Sequence, residues 1–125
     1  MSGTEGQRVP LCNSGDLADG GIAVPFDVVY GGQTCRAFAI RYQGQVHAYL
    51  NRCTHVAMEM DWQPNRFFDD TGRWLLCSTH GAVYQPDTGA CAHGPCRGGL
   101  VRIELSESDG VVHWHTAFNL QPLVF

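Results

Sequence analysis

No stretch of this chain approaches the roughly 18 consecutive apolar residues that a membrane span needs. The opening residues, Met1 to Arg8, are polar and lack the apolar h-region of a secretion signal. The expected location is therefore the cytoplasm, where thiols stay reduced. Charge is also scarce. Charged residues make up 16% of the chain and the net charge is −4, which argues against nucleic acid and against anionic membrane as partners. There is no internal repeat and no low-complexity tract. No long helix is expected; Met58 to Trp62 holds one turn at most. The chain also lacks a nucleophile–base arrangement, a Gly-rich phosphate loop and the two-His, one-carboxylate triad of a catalytic iron. It is not read as an enzyme.

What the chain does have is turn formers. Fifteen glycines and six prolines in 125 residues point to a β-rich domain of modest core. Arg8 to Cys12 reads as a short strand. Ile22 to Tyr30 reads as another, with Val24, Phe26 and Val28 on one face and Pro25 marking an edge or a strand start. Thr34 to Tyr42 and Gln45 to Leu50 form the clearest hairpin. Phe38, Ile40 and Tyr42 share a face, as do Val46, Ala48 and Leu50, and Gly44 supplies positive φ in the turn. A further hairpin is expected around Asp69-Asp70-Thr71-Gly72, between Phe67-Phe68 and Trp74-Leu75-Leu76. Later strands are Val83 to Gln85, Ala90 to Ala92, Leu100 to Leu105 and Val111 to Ala117.

The chemistry lies in two short pieces, Cys53-Thr54-His55 and Cys77-Ser78-Thr79-His80, separated by 21 residues. Thiolate and neutral imidazole are both strong ligands for a soft metal or an iron–sulfur cluster. The order Cys, His, Cys, His differs from the Cys, Cys, His, His of a zinc finger. The pattern C-x-H then C-x-x-H, followed by Gly81-Ala82-Val83-Tyr84, Asp87-Thr88-Gly89 and Gly94-Pro95-Cys96, resembles the Rieske [2Fe–2S] family. The resemblance runs over roughly residues 9 to 115.

That resemblance implies an all-β fold, a Rieske-like antiparallel β-sandwich of about nine short strands. Residues 1–8 would be a disordered tail and 9–125 a single domain, with a smaller cluster-binding subdomain at about 51–98. It implies one [2Fe–2S] cluster, with Cys53 and Cys77 on one iron and His55 and His80 on the other. Gly94 and Pro95 would form a loop packed over the cluster. Relatives in respiratory complexes brace their ligand loops with a disulfide; Met58 and Thr79 stand at those positions here. Where those relatives carry a hydroxyl this chain has Ala82, while their nearby tyrosine is present as Tyr84. The implied function is that of a Rieske-type ferredoxin with a low-potential cluster. It would carry electrons from a flavin reductase to a terminal oxygenase or similar acceptor. The rival readings are a small or regulatory subunit of a nitrite-reductase-like enzyme, some of whose relatives lack the ligands, and a zinc-stabilised interaction module.

Six cysteines remain to be shared out. Two are assigned as ligands, and Cys12, Cys35, Cys91 and Cys96 are expected as free thiols, the first two packing as small hydrophobes; a disulfide between Cys91 and Cys96, which flank the Gly94-Pro95 turn, is the lesser alternative. His47, His93, His113 and His115 are not read as ligands; His113 and His115 share a strand face. Phe67, Phe68 and Trp74 are read as the spacer's own small core rather than as a docking surface.

Overall fold

The computed structural model describes residues 7–51, 66–69, 71–77, 81–94, 98–117 and 119–122. Cys53, His55, His80, Pro95 and the single helical turn expected at Met58 to Trp62 lie outside the described residues. Eleven strands and one 3-10 turn, Ser14–Asp16, make up the described part. The strand ladders are all antiparallel.

The strands form three sheets. The first contains β1 (Arg8–Asn13), β10 (Val111–His115) and β9 (Leu105–Ser108), in that order. The central sheet runs β11 (Leu120–Pro122), β2 (Val24–Tyr30), β3 (Gln33–Tyr42), β4 (Gln45–Leu50) and β8 (Arg102–Ile103). The third holds β5 (Leu75–Leu76), β6 (Val83–Tyr84) and β7 (Cys91–His93).

The central sheet is covered on both faces. Ala37, Ala39, Ala48 and Leu50 face a core shared with Val112 and Trp114 of β10. Phe38, Ile40 and Tyr49 face a second core shared with Phe67, Leu75, Cys77, Ala82 and Tyr84. Successive strand residues point to opposite faces, so Ala37 to Ile40 is buried throughout, with small side chains on one side and large ones on the other. The antiparallel β-sandwich forms as expected, and the small third sheet, packed on the other face of the central one, leads directly into Cys77.

The β3–β4 turn forms as expected. Gln43 and Gly44 both take positive φ, at 52° and 79°, the signature of a two-residue type I′ hairpin. Pro25 lies near the start of β2, beyond the β11 pairing, which reaches only Val28 to Tyr30 among the described residues. Three expectations need correction. Arg8 belongs to the first sheet, not to a tail, and Gln7 is tied beside it: Gln7 N donates to Thr116 Oγ1 at 3.1 Å and Thr116 N to Gln7 O at 2.9 Å. Leu100 to Leu105 is not one strand. The chain leaves the central sheet after Ile103 and joins the first sheet at Leu105, with Glu104 O accepting from His115 N at the crossing. The strand expected at Val111 to Ala117 is not the last, because β11 follows it.

Candidate functional site

The first Cys/His loop springs from a fixed strand end. Leu50 N donates to Val101 O and Asn51 N to Arg36 O, at 3.0 and 2.9 Å. Both residues are buried, so the chain enters position 52 from a rigid base.

The second loop is anchored at both of its described ends. Cys77 follows β5 directly and is fully buried. Its N–H donates to Ala82 O at 2.8 Å, and Gly81 N donates back to Cys77 O at 2.8 Å. Gly81 takes φ +74° to make that closure. The two bonds hold Cys77 against Ala82 whatever the residues between them do. Ala82 and Tyr84 are fully buried in the same core as Cys77. Cys77 forms no disulfide.

Gly94 fixes the opposite wall. Its φ is +91°, and a Cβ there would lie 2.7 Å from Gly81 O and 3.0 Å from Ala82 Cα. Only a glycine backbone fits so close to the second loop. The structure thus places Gly94 against Ala82, which shares a buried core with Cys77 and Tyr84.

A supporting pillar was not legible beforehand. Tyr49 is fully buried and its hydroxyl donates to Pro86 O at 2.7 Å. Burial pushes that hydroxyl well above its ordinary range, so it stays a neutral donor. Its ring fills the space a side chain at Gly89 would need, with 2.7 Å from that position to Cε1. Next to it Phe38 stacks on Phe67, ring centroids 3.7 Å apart and planes 9° from parallel. The sequence signal for Tyr49 is an aromatic side chain on the face of β4 opposite Val46, Ala48 and Leu50.

The three spacer aromatics divide. Phe67 is a core residue, Phe68 is half-buried against Tyr42, and Trp74 is exposed. The expected hairpin forms, with Leu76 N donating to Phe67 O and Asp69 N to Trp74 O. An open groove of about 480 Å³ runs beside it, lined by Ile22, Arg66, Phe67, Asp69 and Leu76 among others. No nucleophile–base pair is among its lining residues.

Cys91 corrects the expectation of four free thiols, because it is disulfide-bonded. Cys12 and Cys35 form no disulfide and are half-buried, packed at the margin of the first core. His113 and His115 share the half-buried face of β10, while Val112 and Trp114 point into the core. His115 Nε2 meets Ser106 Oγ at 2.8 Å. No group of three or more metal-binding side chains occurs among the described residues. No helix among them is long and apolar enough to cross a membrane.

Among the described residues, Cys77 fits a thiolate ligand of a [2Fe–2S] cluster: it is a buried thiol outside any disulfide, closed at its backbone by the Gly81 turn.

Comparison with known proteins agrees. No curated protein sequence matches. Among solved structures, the ferredoxin of carbazole 1,9a-dioxygenase from Nocardioides aromaticivorans IC177 superposes with TM-score 0.69 at 20% identity, over 87% of this chain and 97% of that one. The Sphingomonas yanoikuyae B1 ferredoxin gives 0.65 at 23%, over 88% and 99%. The terminal oxygenase of carbazole 1,9a-dioxygenase from Nocardioides aromaticivorans IC177 gives 0.69 at 19%, over 98% of this chain but 33% of its own. The family model described as the Rieske [2Fe-2S] domain matches residues 7–107, and the chain belongs to that family.

Proposed function

We propose that this protein is a Rieske-type ferredoxin, a soluble cytoplasmic carrier of single electrons from a flavin reductase to a terminal oxygenase or similar acceptor. It transforms no substrate of its own. The observation that carries this reading is the overlap with two whole ferredoxin chains, 97 and 99% of their length, against 33% of an oxygenase.

In this reading Cys53 and Cys77 supply thiolates to one iron, and His55 and His80 supply one imidazole nitrogen each to the other. When bound, the cluster takes up and releases one electron, at a potential raised by neutral imidazole in place of thiolate. The remaining work falls to the chain. Each imidazole keeps a second ring nitrogen whose proton can be held or released with the charge of the site. Ala82 and Tyr84 exclude water from the side of Cys77, and the family resemblance assigns the Gly94-Pro95 turn to the cover of the site. Ala82 offers no hydroxyl toward the site, which favours the low-potential, ferredoxin end of the family.

The test is analytical and spectroscopic. Purified protein should be red-brown, with iron and acid-labile sulfide in equal amounts, and should show on reduction an EPR signal averaging below about g = 2. A colourless protein holding one zinc would sink the proposal and favour an interaction module.

A further inference from the structure

Tyr49 stands on the strand that leads to the first Cys/His piece, and its side chain reaches the turn that follows the second. Beyond Tyr49, β4 ends at Leu50, and the N–H groups of Leu50 and Asn51 bond to Val101 O and Arg36 O. The turn at residues 86–89 lies between β6 and β7. Three of its carbonyl oxygens accept from the central sheet or from the segment entering it. Tyr49 Oη donates to Pro86 O at 2.7 Å, Arg102 Nη1 to Asp87 O at 3.1 Å, and Leu100 N to Gly89 O at 2.8 Å. Arg102 is the ladder partner of Tyr49, so one cross-strand pair holds two consecutive carbonyls of one turn. The Tyr49 bond is buried and the Arg102 bond exposed, which gives Tyr49 the firmer grip. Its ring is wedged between Phe38, at a centroid distance of 6.0 Å, and the backbone of Gly89.

That grip reaches Cys77. The turn is closed on itself by Gly89 N to Gln85 O and Gln85 N to Ala90 O, at 2.8 and 2.9 Å, so it moves as a unit with β6. β6 pairs with β5, and one residue before β6 Ala82 O accepts from Cys77 N. Apolar contacts in the shared core press the third sheet on the central one but fix no direction. A hydrogen bond does fix one.

We propose that Tyr49 is a positioning residue, whose hydroxyl sets where Cys77 stands relative to the end of β4 and so the spacing between the two Cys/His pieces. Its consequence for a cluster rests on the ferredoxin reading; its consequence for Cys77 does not.

Tyr49→Phe keeps the ring and removes the donor. Val112→Ala, which loosens the core on the other face of the central sheet, is the control for general loss of stability. Hydrogen exchange should be several-fold faster in Tyr49→Phe at the amides of Cys77, Gly81, Gly89 and Leu100, with β10 unchanged. In the cluster-loaded protein, Tyr49→Phe should broaden the reduced EPR lines and displace the reduction potential, because a less fixed ligand spacing spreads the cluster's geometry. Val112→Ala should leave both as in wild type while lowering the urea midpoint. Wild-type exchange at the four amides overturns the proposal. So does faster exchange with unaltered EPR and potential, or the same broadening in Val112→Ala, since Tyr49 would then only add stability. If wild-type protein binds no cluster, the ferredoxin reading fails on its own, and exchange at Cys77 and Gly81 still decides whether Tyr49 positions Cys77.

Discussion

Phe67 belongs to the spacer between the two Cys/His pairs, yet the structure makes it part of the platform under Cys77. It is 2% exposed and stacks face to face on Phe38 of the central sheet. Truncation to alanine removes a fully buried ring from a core it shares with Cys77 and Tyr84, a change that costs about 3–5 kcal/mol. A domain of this size holds about 5–15 kcal/mol in total, so Phe67→Ala leaves a marginal fold. Phe68 is half-buried and stacks on Tyr42 at 6.3 Å; Phe68→Ala should cost about 1–2 kcal/mol. Trp74 is 38% exposed, and Trp74→Ala should stay within about 0.5 kcal/mol. Urea unfolding, followed by far-UV circular dichroism and by cluster absorbance, measures all three against wild type at matched slopes. A cost below about 1 kcal/mol for Phe67→Ala would refute the packing argument. So would equal costs for Phe67→Ala and Trp74→Ala, because burial would then not be what separates them.

Other perturbations follow from single contacts. Tyr49→Phe keeps the ring against Gly89 but strips Pro86 O of its donor, and should cost about 1–2 kcal/mol in urea unfolding; no measurable change would remove Tyr49 as a tie between the sheets. The hydrogen bond from Arg41 holds the Glu107 carboxyl below its ordinary value of 4.5. That stabilisation is present above about pH 4.5 and is lost as pH falls through the lower folded value. Glu107→Gln should therefore cost about 0.5–1 kcal/mol at pH 7 and progressively less in acid; a gap that widens in acid contradicts the sign. Burial, with Arg102 adding and Asp87 opposing, holds His47 below 6.5. The unfolded chain then takes up a proton first, so stability falls as pH drops through 6.5, and His47→Leu should flatten the profile between pH 7 and 5. Finally, Tyr84→Phe should lower the reduction potential, since hydrogen bonding toward a cluster favours the reduced, more negative state; an unchanged or raised value excludes a tuning role.

Local signals survived folding where one face or one turn decided the outcome. Gln43-Gly44 named its hairpin, and Val24, Phe26 and Val28 named the inner face of β2, because both are short-range constraints. Two kinds of information were not local. Ala37 to Ile40 alternates small with large rather than polar with apolar, and only the two cores reveal why. Likewise the alternation of Val101, Ile103 and Leu105 continues through Glu104 while the strand changes sheets. A side-chain pattern records which residues are inward, not which sheet they are inward from. The two Cys/His pairs, proposed as ligands, stand out in the sequence because such chemistry needs fixed residue types at fixed spacing. The bonding of Cys91 was not legible, because the expected compartment argued for a reduced thiol.

The spacer's length now has a physical reading. Its chain must come back to the central sheet before Cys77, since Leu76 N bonds to Phe67 O and Phe67 stacks on Phe38. Residues 66 to 76 are thus spent on a hairpin that presents one side to the core and the other to solvent. The inward side fixes Leu75 and with it the start of the second ligand loop. The outward side carries Trp74, Arg73 and Arg66, all exposed. Hairpin residues alternate, so the inward Phe67 and Leu75 come with outward neighbours that add surface beside Cys77. Any partner that approaches from this flank meets residues whose exchange leaves the site's core intact.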